Sequence, residues 1–163
     1  MINNLVKTLV CSVAGTTVMT LTSALMSIKG QDFREPKHLS KLAKKLLPFL
    51  PKEYSPLVGW VGHYGMGAAF AAVYVALWER KVINHSLLTG SVLGGVSGLV
   101  GFLIWKATFK IQPLSPMMNY NKFYLQRMPV HVVFAVFATL AYQQIKRYEE
   151  RKIREINSPS DSK

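Results

Sequence analysis

The sequence predicts an all-α fold: a helical integral membrane protein with four transmembrane helices and an amphipathic interfacial helix in its first long loop. Three observations predict it. Half of the 163 residues are hydrophobic and mean hydropathy is +0.18, although 17% of the chain is charged. The charges gather in the connections and the tail, leaving four long segments almost free of them, the segregation that a bilayer imposes. Segment 86–109, SLLTGSVLGGVSGLVGFLIWKATF, carries Gly90, Gly94 and Gly98 at four-residue steps, with Gly101 on a nearby face. In water each glycine would cost a helix about 1 kcal/mol relative to alanine. In hydrocarbon the backbone has no water to turn to, so the helix holds, and small residues admit a neighbour's backbone.

Taken in order, the first span covers about residues 5–28. Lys7 is placed to snorkel to the headgroups. Ser12, Thr16, Thr20 and Ser23 recur at helical spacing and form a polar stripe suited to an interhelical face. A cleaved signal peptide is the competing reading, but the apolar run is long and interrupted by hydroxyls. Cys11, the one cysteine, follows a bulky valine after too short an apolar run for a lipoprotein; it reads as a buried, inert thiol. One thiol says nothing about redox compartment.

The connection that follows is polar and basic. Within 37–47, Leu39, Leu42, Ala43, Leu46 and Leu47 share one face, with Lys37, Lys41, Lys44 and Lys45 towards the other. Pro36 suits a first helical turn and Pro48 ends the helix. Two readings fit: a helix lying in the membrane interface, or a basic helix packed on the protein itself.

The second span, about 57–78, is rich in small residues: Gly59, Gly62, Gly65 and Gly67, then Ala68, Ala72 and Ala76. It and the third span, about 86–109, are expected to pack on each other as a hairpin. In the connection 110–127, Pro113 and Pro116 forbid one continuous helix, and Tyr120, Phe123 and Tyr124 resemble an interfacial belt. Tyr54, Trp60, Trp78 and Trp105 read first as interface anchors. The fourth span covers about 128–145, its helix running into the charged tail. Residues 1–156 thus make one domain, with 157–163 a disordered tail. A weak internal repeat pairs the halves: His63 with Tyr74 and His131 with Tyr142 share an eleven-residue separation. Basic residues are balanced between the tail and the first loop, so the positive-inside rule leaves orientation open.

The formal charge of +12 reads as basic residues facing anionic headgroups, so membrane lipids are the expected partner and nucleic acid is not. A homo-oligomer is the other partner considered. No phosphate-cradling loop, nucleophile motif or metal-ligand spacing is present, so no catalytic residue, cofactor or metal is assigned.

The candidate intramembrane polar site is His63, His131, Tyr74, Tyr142 and Arg127. Each histidine stands roughly 5–9 Å inside its helix at 1.5 Å per residue. Each tyrosine lies on its histidine's face, about three turns on. Such groups face a bundle interior and mark pathways or sites; a histidine could relay protons. Arg127 and Lys106 could hold an anionic headgroup. The bland alternative is that each histidine hydrogen-bonds a neighbouring helix, since no acidic residue sits inside a span to complete a metal set. His38 and His85 read as surface residues. Gly90, Gly94, Gly98 and Gly101 are the candidate helix-packing positions.

Three stretches, AGTTVMTLTSALMSIKGQDFREP, GHYGMGAAFAAVY and PVHVVFAVFATLAYQQIKR, resemble the YagU-like group of small bacterial inner-membrane proteins over most of the chain. The resemblance implies a bacterial inner membrane and termini inside, and makes His63 and His131 the group's recurrent histidines. It would match Phe33–Pro36 to a charged, proline-containing end of the first span; the basic helix 37–47 has no match. It implies no reaction. The leading expectation is a structural or accessory membrane protein. Its rivals are a small transporter or proton- or ligand-binding protein using the histidine pair, and a lipid-headgroup enzyme with Arg127 and the basic loop holding phosphate.

Overall fold

The computed structural model describes residues 2–27, 32–112 and 119–157. The elements are α1 (Asn4–Met26), α2 (Glu35–Leu46), a 3-10 turn (Lys52–Tyr54), α3 (Ser55–Glu79), α4 (Leu87–Ile111) and α5 (Tyr120–Asn157), with no strand among the described residues. Four helices, α1, α3 with the turn before it, α4 and α5, are long and apolar enough to cross a membrane. Local chemistry sets their starts. Asn3 and Ser86 cap α1 and α4 by accepting from Leu5 N and Thr89 N. Pro36 and Pro56 occupy first turns, where the missing N–H costs nothing. Asn119 Oδ1 accepts from Lys122 N at 3.0 Å and starts α5 eight residues before the expected fourth span. Pro129 does not break that helix, which runs through it. Pro113, Pro116 and the expected tail 158–163 lie outside the described residues; Asn157 is helical.

Packing departs from the expected hairpin. α1 packs on α3 and α5, α4 packs on α5, and α2 lies on α3. α3 and α4 are joined by a short link and bridged by Tyr74 Oη, 2.6 Å from Ser97 Oγ, yet elsewhere they meet only sparsely. The reason is complementarity of size. The glycine face of α4 takes the bulk of α5: a Cβ on Gly94 would stand 2.5 Å from Val132 Cα, and one on Gly98 3.0 Å from Met128 Cα. The small residues of α3 are used elsewhere. Gly59 receives α2, whose Pro36 carbonyl would lie 2.3 Å from a Cβ there, and Gly67 receives Thr16 of α1. Two small faces pressed together would leave nothing to fill the gap.

Several aromatic and basic residues sit deeper than their position along the chain suggests. Trp78 and Trp105 are buried rather than anchoring an interface, and Phe123 is fully buried; Tyr54 and Trp60 are exposed. Trp105 and Phe123 are covered because α2 folds back over them and α5 starts early; with Phe109 they form a separate aromatic core. Lys7 does not snorkel. It is 1% exposed, with Glu79 Oε1 at 2.8 Å and Glu149 Oε2 at 3.2 Å. Glu79 at the end of α3 and Glu149 from the last third of α5 reach it and supply the counter-charge that burial demands. In α2, Ala43 is buried and Leu39 and Leu42 half-buried, while Leu46 and Leu47 join the lysines outside.

Candidate functional site

The site is organised by a residue that the sequence pattern left out of it. Glu35 opens α2. The absence of a Cβ at Gly59 lets the first turn of α2 settle onto α3, and this carries the carboxylate inward. Its Oε2 lies 3.1 Å from His63 Nδ1, its Oε1 accepts from Trp105 Nε1 at 3.0 Å, and Arg127 Nη1 pairs with Oε1. Burial pushes the Glu35 carboxyl up, but Arg127 and His63 outweigh it and hold the group below the usual carboxylate range. So the histidines do have an acidic neighbour, delivered from a loop helix rather than a span.

Arg127 is fully buried. Besides Glu35 it donates to the Phe33 carbonyl at 3.0 Å and to the Gln126 side chain, and its guanidinium carbon lies 4.3 Å from the centre of the Phe123 ring. It is occupied in holding α2 and is not presented to a headgroup. Lys106 is exposed, over the Phe102 ring, away from this network.

Hydrogen-bond counting constrains the histidine rings. Thr20 Oγ1 donates its one hydrogen to the Thr16 carbonyl at 2.7 Å, so at His63 Nε2, also 2.7 Å away, the ring must donate. Nδ1 of the same ring faces an ionised carboxylate, which only accepts. This arrangement is satisfied by the imidazolium. The neutral ring needs the Thr20 hydroxyl to swing from the Thr16 carbonyl to Nε2. At His131, Nδ1 donates to the Arg127 carbonyl at 2.8 Å, which leaves Nε2 as a bare acceptor in the neutral ring. That nitrogen has no hydrogen-bond partner among the described residues and would lie 2.9 Å from a Cβ on Gly101, so glycine there is what makes room for the ring.

Both histidines line one cavity of about 110 Å³, bounded by all five helices where α3 and α4 diverge. The expected tyrosines are not part of it. Tyr74 reaches Ser97, and Tyr142 donates to Glu79 Oε1 at 2.7 Å in a second cluster with Lys7, Glu149 and Lys146. His38, expected on the surface, is buried between Trp105 and Phe123, its Nε2 2.8 Å from the Asp32 carbonyl; burial pushes its pKa down, and the carbonyl offsets part of this. His85 is exposed. The signal for Glu35 was its rarity: Asp32, Glu35 and Glu53 are the acidic residues of an otherwise basic loop, and Glu35 directly precedes a helix-starting proline. Comparison with protein-family models, curated proteins and solved structures finds no match.

Proposed function

We propose that this chain is a four-span protein of a bacterial inner membrane that binds a small molecule in the cavity between His63 and His131. The outer faces support the membrane reading. Leu5, Leu21 and Leu25 of α1 and Leu88, Val92 and Val96 of α4 are each more than half exposed, a surface that water tolerates poorly and hydrocarbon does not penalise. The exposed lysines of α2 then meet anionic headgroups.

The cavity carries the binding reading. About 110 Å³ is open beside an ionised network and reaches the outer surface at Met66 and Ile104, well above the roughly 10–15 Å³ that one water needs. Polar groups converging on a mostly apolar cavity are the usual form of a ligand site. Arg127 is committed to Glu35, so a headgroup enzyme would have to hold phosphate with the basic loop alone.

Native mass spectrometry of the protein released from mild detergent tests this. The wild type is expected to carry a non-covalent small molecule, and Met66→Trp, which fills the cavity from α3, to lose it while retaining its helical circular dichroism. Identical bare masses for both would contradict the proposal.

A further inference from the structure

We propose that the ligand is an uncharged, lipid-soluble molecule bearing a hydroxyl, of the class of long-chain alcohols, held head-inward with its tail leaving between α3 and α4. This rests on the reading of the cavity as a ligand site. Charge comes first. Arg127 is already paired with Glu35 and donates to the Phe33 carbonyl, so a charged head would have to disrupt an existing buried ion pair to find its own partner. A neutral head leaves that pair intact.

Two polar atoms at the cavity then define what that head offers. Thr16 is fully buried and its Oγ1 has no hydrogen-bond partner. Neighbouring hydroxyls do not share this condition: Thr20, Thr22, Thr108 and Thr139 each turn back to the carbonyl four residues earlier. The second atom is His131 Nε2, the acceptor left over once Nδ1 donates to Arg127. A hydroxyl head can donate to the imidazole and accept from the threonine, satisfying both; a buried polar group left unmatched is costly.

The way in is lateral. Met66 of α3 and Ile104 of α4 line the cavity, yet both are about two-fifths exposed on the outer surface. They stand on the two helices that meet only sparsely, so the mouth opens on the face that touches hydrocarbon. Phe70 and Phe134 form apolar wall further in.

The test is photolabelling of the protein in phosphatidylcholine nanodiscs with a diazirine-bearing hexadecanol, read by peptide mass spectrometry. Saturable labelling of Met66, Phe70 or Ile104 is expected. Excess hexadecanol should compete it away, and excess hexadecanoic acid or hexadecane should not. Thr16→Val, nearly isosteric, should weaken competition about tenfold, the weight of one hydrogen bond, while Thr16→Ser retains it. Equal competition by the acid or the alkane, or an unchanged Thr16→Val, overturns the hydroxyl assignment and leaves the ligand site standing. If no probe labels the cavity saturably and native mass spectrometry finds no bound molecule, the cavity holds water only and both proposals fall.

Discussion

Glu35 Oε2 stands 3.1 Å from His63 Nδ1, joining a loop helix to the interior of a long apolar one. Through Glu35 the imidazole is tied to Arg127 on α5 and Trp105 on α4, and through Nε2 to Thr20 on α1. One carboxylate therefore links every helix of the bundle. α2 lies on α3 and carries Glu35, Leu39 and Leu42 to the cavity lining.

The glycines of α4 should separate into two kinds. Gly94→Ala drives a Cβ to 2.5 Å from the Val132 backbone, which cannot yield as a side chain would, so α4 and α5 must part. A loss of about 1–3 kcal/mol is expected, as for other overpacked sites. Gly95→Ala meets nothing within 4 Å and should be neutral or stabilising by up to about 1 kcal/mol, the helix-propensity gain. Detergent-resistant thermal unfolding of the two variants checks the ordering.

Lys7→Met should be strongly destabilising. A lysine that snorkels could be replaced at little cost. This one is buried between Glu79 and Glu149, and its removal leaves two carboxylates together at the meeting of α1, α3 and α5. Lys146, 3.6 Å from both, softens the effect. The expected cost is roughly 3 kcal/mol, the low end for breaking a buried pair, read from equilibrium unfolding in mixed micelles.

Docking of α2 should weaken in mild acid. Burial against Trp105 and Phe123 holds His38 below its usual pKa, so the unfolded segment binds a proton that the folded one resists. Stability from this residue is complete above about pH 6.5 and is lost as pH falls towards the folded value. Asp32 and Glu35, both held low, act in a more acid range: what they add is present above about pH 4–4.5 and fades below it. Hydrogen exchange of α2 amides, corrected for intrinsic rates, should show less protection at pH 5.5 than at pH 7.5. His38→Phe isolates the effect from the other histidines and should shrink the difference.

The four long helices were legible in the sequence because length, hydropathy and charge segregation are properties of single segments. The wrong helix partner for α4 shows the limit. Small-residue stripes mark a surface that something approaches, but size matching decides what approaches it, and Val132 and Met128 carry no sign of facing glycine. His63, His131 and Arg127 were found from the cost of polar groups in apolar segments. Glu35 was not, because it lies in a loop and becomes part of the site only when α2 folds back. The early start of α5 at Asn119 lies outside the apolar segment, so hydropathy carries no sign of it.

The most direct measurement is a double-mutant cycle on Glu35 and Arg127 by equilibrium unfolding in mixed micelles, using Glu35→Gln, Arg127→Met and the pair together. Each single change strands a buried partner and should cost about 3–5 kcal/mol, with a coupling of roughly 2–3 kcal/mol that makes the double variant more stable than the sum predicts. Effects that add within about 0.5 kcal/mol would mean that Glu35 does not enter the bundle, and the site as described here would not exist.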